Sequence, residues 1–170
     1  MCAFALRFVF PSFSVEKKTL WILESAPLTF RKIFLSKYAF YTSLFLVVGL
    51  LMEYINILIL RVSFISASYS LFLFISAIIF IITLALSMGA IFPSQDSDDP
   101  EAVSTSMSGL FFTALSLLYG AISTFILYKV LLGSSTVELV VLVSLTLSLL
   151  AFLLWFVPYK KRVLFTRTFR

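Results

Sequence analysis

The sequence predicts an all-α integral membrane bundle, and three observations predict it. Four apolar runs, at about 38–60, 69–92, 107–132 and 137–157, fill most of the 170 residues. Each is close to the ~20 residues a helix needs to cross ~30 Å of hydrocarbon. Hydrophobic residues make up 61% of the chain and charged residues only 12%, about half the charged share usual for a soluble domain. Mean hydropathy is +1.10, more apolar surface than a soluble fold of this length could hide. Within lipid every backbone N–H and C=O must pair inside its own segment, which makes each run a helix.

The first element, residues 2–13, lacks the pattern of a cleaved leader. Arg7 interrupts its apolar core and Pro11 closes it, whereas a leader has a clean core ending in small residues. It is too short to span by itself. Two readings stand: an interfacial segment, or the tail of an earlier transmembrane helix with Met1 marking an incomplete chain.

Residues 14–37 mix Leu20, Trp21, Ile22, Leu23, Phe30, Ile33 and Phe34 with Glu16, Lys17, Lys18, Glu24, Arg31 and Lys32. Pro27 divides the stretch. The pattern predicts two short amphipathic helices in the headgroup plane, the second starting near Thr29 and running into the first span. The expected layout is an interfacial amphipathic segment at 1–37, a transmembrane domain at 38–157 and a basic tail at 158–170. The plainer use of the elbow is anchoring; the sharper one is docking of a cytoplasmic partner.

Span one contains an ionisable residue, Glu53, about two turns from its outer end, with Asn56 three residues further on, at the spacing for a hydrogen bond to it within the helix. A carboxylate at that depth is costly unless it reaches water or a partner. Arg61 lies about 12 Å further along the axis, too far for a direct pair within the helix. Glu53 is either a side chain snorkelling to the interface or one facing a polar pathway between subunits. Span two carries Thr83 and Ser87, with Ala85 and Gly89 beside them. Span three carries Ser116, Gly120 and Thr124 on one face, with Ser108 two turns earlier. Such small-residue faces let helix backbones approach. They serve ordinary bundle packing, or a face that dimerises or slides.

Between spans two and three, Pro93 stops one helix. Asp99-Pro100-Glu101 has the N-cap, first-turn proline and first-turn acid of a helix start. The acids Asp96, Asp98, Asp99 and Glu101 do not form an EF-hand, which needs glycine at its sixth position and a glutamate where Met107 stands. They read as a solvated acidic loop. Gly133, Ser134 and Ser135 mark the turn before span four.

Eleven of the 13 basic residues flank the spans: Arg7, Lys17, Lys18, Arg31, Lys32 and Lys37 before, Lys160, Lys161, Arg162, Arg167 and Arg170 after. Only Arg61 and Lys129 lie elsewhere. With an even number of spans, the positive-inside rule puts both termini of this multi-pass membrane protein in the cytoplasm; the expected membrane is the cell's inner one.

The sequence contains no complete catalytic or ligand-binding site, and any ATP hydrolysis would fall to a separate ATP-binding subunit. Histidine is absent, which removes the commonest general base and transition-metal ligand. No GxxxxGK[ST], GxSxG or HExxH pattern occurs. No catalytic, cofactor-binding or metal-binding residues are therefore nominated. The single cysteine, Cys2, permits no intrachain disulfide. A net charge of +5 without a soluble basic domain gives no nucleic-acid site.

Three stretches carry a resemblance: FVFPSFSVEKKTLWILESAPLTFRKIFLSKY at 8–38, LALSMGAIFPSQDSDDPEAVSTSMSGLFF at 84–112 and WFVPYKKR at 155–162. The residues are Pro11, Ser14-Val15-Glu16, Leu20-Trp21, Ser25-Ala26-Pro27, Arg31-Lys32 and Lys37, then Gly89-Ala90-Ile91-Phe92-Pro93, Asp99-Pro100 and Ser108-Gly109. In that order they resemble the C-terminal part of ABC exporter membrane (permease) subunits. Members are considerably longer, so the resemblance implies a C-terminal portion or fragment of a permease in an ATP-driven exporter. It further implies an ATP-binding cassette ATPase subunit as partner. That subunit would dock on the elbow at Glu24, Pro27, Arg31 and Lys32. Besides the lipid bilayer, the remaining partners are further transmembrane segments or a second copy, packed on Ser116, Gly120 and Thr124. The alternative is a small accessory or structural membrane protein that transports nothing.

Overall fold

The computed structural model describes residues 1–15, 30–61, 64–92, 102, 105–131 and ten further positions between 142 and 156. Every regular element among them is helical. The expected all-α bundle is what the chain forms.

The N-terminal segment folds as α1 (Cys2–Phe4), a π-helical stretch (Ala5–Val9) and α2 (Ser12–Val15). The π geometry has a local cause. Pro11 offers no N–H and its ring crowds the carbonyl of residue 7. One residue before it, the Phe10 N–H donates to the Ala5 carbonyl at 2.9 Å, five residues back. The extra residue in that turn aims Val9, Phe10 and Phe13 inward, where they are buried, and leaves Phe4 and Phe8 outside. The segment is thus packed into the bundle and does not lie flat on its surface.

Helix α3 runs unbroken from Phe30 to Leu60. Its 31 residues exceed what the hydrocarbon requires, so the turns carrying Arg31, Lys32 and Lys37 extend beyond the apolar run. This continuity agrees with the expected second amphipathic helix merging into span one. Arg61 ends α3 in the left-handed region, with φ of 48°, the usual way to turn a chain out of a helix. Helix α4 spans Phe64–Ile91 and α5 spans Met107–Leu131. Ser106 caps α5: its Oγ accepts the Gly109 N–H at 3.3 Å. The first turn of α5 is therefore set by Ser106. The expected start at Asp99-Pro100-Glu101 lies outside the described residues.

Segments within these three helices, Phe30–Leu60, Ser66–Ile91 and Met107–Val130, are long and apolar enough to cross a membrane. The expected fourth span, 137–157, falls largely outside the described residues; those described between 142 and 156 are helical. Of the expected elbow at 14–37, residues 16–29, Pro27 among them, lie outside as well.

Helix α4 is the central element. It packs against α3, α5 and the N-terminal segment. Its seven consecutive residues Ile81–Ser87 are all buried, so it is enclosed on every side at that level. Large apolar side chains elsewhere point outward, including Leu51, Tyr54, Ile59, Leu117 and Phe125. Such a surface suits hydrocarbon, which offers apolar groups no penalty.

Candidate functional site

Four polar or small-residue contacts lie within the bundle, and each follows from helix register. Glu53 on α3 is only 8% exposed. Its Oε1 accepts a hydrogen bond from Ser70 Oγ on α4 at 2.5 Å. Asn56, the partner expected within the same helix, is exposed. The carboxylate is instead satisfied across the α3–α4 interface. The sequence shows a reason only once the two helices are paired antiparallel, because Ser70 sits one turn from Phe74 and Glu53 one turn from Gly49. A Cβ on Gly49 would lie 2.8 Å from the Phe74 ring and 2.7 Å from Ile78 Cδ1. Gly49 therefore brings α3 close enough for the Glu53–Ser70 bond. This glycine was not singled out in the sequence, because a lone glycine in an apolar run carries no pattern.

A second cluster is made of hydroxyls. Ser76 Oγ on α4 lies 2.9 Å from Tyr119 Oη on α5 and 3.2 Å from Thr146 Oγ1. All three side chains are buried. The Tyr119 ring stacks on Phe80, with centroids 4.1 Å apart. This ties α4, α5 and the helical residues around 146 together. Interhelical hydrogen bonds of this kind are worth about 0.6 kcal/mol on average in membrane bundles. Serines, threonines and tyrosines are too common here for the cluster to stand out in the sequence.

The third contact seats the N-terminal segment. Thr83, Ala85 and Ser87 on α4 are buried, and the position a Cβ would take on Gly89 is occupied by the Phe10 carbonyl oxygen. Of the small residues of span two, it is Gly89 that receives the backbone at Phe10. Lys37 holds the same segment from α3: its Nζ donates to the Ser12 carbonyl at 3.0 Å and stands 4.7 Å over the Phe13 ring.

The fourth is the small-residue face of α5, which divides. Ser116 is buried, with its Oγ 2.7 Å from Cys2 Sγ. One turn on, a Cβ on Gly120 would meet nothing within 4 Å. Thr124, exposed, donates to the Gly120 carbonyl at 2.9 Å.

Of the nominated docking residues, Arg31 and Lys32 are exposed on the first turn of α3; Glu24 and Pro27 lie outside the described residues. No group of three or more His, Cys, Asp or Glu able to hold a metal occurs among the described residues.

A family model described as "Putative ATP-binding cassette" matches residues 1–163. Its description concerns ATP binding and says nothing of a permease. Comparison with curated proteins gave no significant match, and neither did comparison with solved structures.

Proposed function

The chain belongs to the ATP-binding-cassette family whose model covers it, and from that membership we propose that it is a membrane-spanning permease portion of an ATP-driven ABC exporter. The division of labour rests on the sequence. Its 170 residues hold no GxxxxGK[ST] loop, the backbone cradle and lysine that P-loop nucleotide sites require. ATP binding then falls to a separate ATPase subunit, and this chain supplies apolar helices in the cell's inner membrane, both termini cytoplasmic. In this reading residues 1–37 lead in from the cytoplasmic side, with the N-terminal segment packed among the helices, while 38–157 form the transmembrane domain and 158–170 the basic tail.

One observation carries the proposal: α3 is a single helix from an exposed basic turn to a buried carboxylate. Arg31 and Lys32 lie at its start and Glu53, bonded to Ser70, near its other end. The separation is ~33 Å at ~1.5 Å per residue. An ATPase closing against the basic turn would move Glu53 as part of the same rod, because a continuous helix has no hinge to absorb the push. Elbow residues Glu24 and Pro27 complete the docking surface, and Glu53 with Asn56 marks the polar pathway.

The test is disulfide or bifunctional crosslinking from cysteines placed at Arg31 and Lys32 to a co-expressed ATPase of the same system, in a Cys2→Ser background. Crosslinks that change in yield with ATP support the proposal. No crosslink from either site in a complex shown to be intact would overturn the docking and leave an anchoring role for the elbow.

A further inference from the structure

A hydroxyl buried inside a helix commonly bonds to a carbonyl one turn back. Thr83 on α4 does so, its Oγ1 donating to the Ile79 carbonyl at 2.7 Å. Ser123 on α5 does the same with the Tyr119 carbonyl at 2.8 Å. Ser87 departs from this. It is 1% exposed, and its Oγ has no hydrogen-bond partner among the described residues. A hydroxyl enclosed and unpaired is costly, because it has given up water for nothing. Such a group points to a partner other than a protein side chain.

Helix register shows where that hydroxyl faces. Ser87 stands about three turns along α4 from Ser76, within ~20° of the same face. That face meets α5. Ser76 Oγ lies 2.9 Å from Tyr119 Oη, and the Phe80 ring stacks on Tyr119. Phe10 gives a second level: its carbonyl fills the Cβ position of Gly89, and its ring stacks on Phe112 of α5 with centroids 6.1 Å apart. The two levels run α4 and α5 antiparallel. About three turns back from Tyr119, on the face of α5 that carries it, is Ser108. Ser108 is half-buried. Its Oγ lies 2.9 Å from Ser106 Oγ, which also accepts the Gly109 N–H at 3.3 Å. The end of α4 and the beginning of α5 thus bring three hydroxyls to one end of their seam. One turn deeper, the fully buried ring of Phe112 closes it.

We propose that the α4–α5 seam at Ser87 and Ser108 is a buried water site, in which water bridges Ser87 Oγ to the Ser106–Ser108 hydroxyls. A buried water needs two to four polar partners, and these three serines supply that number. Serine side chains are short, so neither Ser87 nor Ser108 fills the seam from its side. The ligand is water and not an ion, because no charged side chain belongs to this group. The site turns one end of the seam into a wet inlet that stops at Phe112. It rests on packing alone and is independent of the transport reading.

Stability separates a watered hydroxyl from a dry one. Ser87→Ala should lower the thermal midpoint of the whole chain in detergent by ~2 to 4 °C, since it removes an anchor of the bridge. At a dry site the same change would delete an unpaired group and raise the midpoint. Ser87→Ala and Ser108→Ala together should cost little more than either alone, because both hold the same water. Ser123→Ala, whose hydroxyl is satisfied within its own helix, should add in full to Ser87→Ala. A thiol then reports the water itself. In a Cys2→Ser background, Ser87→Cys should react with methyl methanethiosulfonate at least ~10-fold faster than Leu86→Cys, because the reagent needs a thiolate and a thiolate needs water. Leu86 is fully buried beside it, and the reagent is small and dissolves in lipid. An unchanged or raised midpoint for Ser87→Ala, full additivity with Ser108→Ala, or equal thiol rates would each overturn the proposal.

Discussion

Gly89 and Gly49 show how little space single positions leave in this bundle. At Gly89 a methyl group would collide with the Phe10 carbonyl, a backbone atom that cannot swing aside. Gly89→Ala should therefore destabilise the protein by about 1 to 3 kcal/mol, the usual range for overpacking. It should also release the N-terminal segment, seen as faster maleimide labelling of Cys2. Unchanged labelling and stability would mean that the segment is not seated on α4. At Gly49 the nearest neighbours are side-chain ends of Phe74, Ile78 and Met1, which can shift, so Gly49→Ala should cost less. Glu53 makes a different prediction. Its partner is a neutral hydroxyl at 2.5 Å, so a double-mutant cycle of Glu53→Gln and Ser70→Ala should show coupling of about 0.5 to 2 kcal/mol. If the carboxylate also serves the proposed pathway, Glu53→Gln will lower substrate-dependent ATP turnover of the assembled complex more than it lowers stability. Equal, additive losses from the two single changes would remove the pairing.

The helices α3, α4 and α5 were legible in the sequence because hydrocarbon imposes one length and one composition on them. Their ends came within about five residues: α3 starts at Phe30, beside the expected start near Thr29, and the largest offset is α4, which starts at Phe64 where the apolar run suggested 69. The N-terminal segment was less legible. A twelve-residue apolar stretch broken by Arg7 and Pro11 has the same pattern whether it lies on a membrane or inside a bundle. What decides is how closely a second backbone can approach α4 at Gly89, and that closeness is a property of two elements together. The hydroxyl cluster was not legible for a similar reason: Ser76, Tyr119 and Thr146 come from three elements and share no spacing. It predicts that Tyr119→Phe, which keeps the stacking on Phe80 but removes the hydroxyl, weakens the attachment of the helical residues near 146. A loss of about 0.5 to 1.5 kcal/mol is expected. It should be absent in a Ser76→Ala background, which has already lost the partner. Full additivity of the two changes would show that the hydroxyls do not interact.

At the scale of the whole molecule the open prediction is which way the bundle faces. The basic residues decide it, because lysine and arginine near span ends resist translocation. Arg31, Lys32 and Lys37 precede the apolar part of α3, whereas the α3–α4 connection carries only Arg61. The first connection should therefore be extracytoplasmic. The acidic connection after α4 then lies in the cytoplasm, which the rule permits because acids count little. Direction along each helix would follow: Glu53 and Ser70 would approach the outer surface, and Phe10, Gly89 and Ser106 the inner one. Reporter fusions at Ser66 and at Arg170 should then give opposite signals, outside for the first and inside for the second. A cysteine at Asp98 should react with a membrane-impermeant maleimide only after the cells are opened. Labelling at Asp98 in intact cells would invert the bundle and move the exposed turn of Arg31 and Lys32 away from any cytoplasmic ATPase.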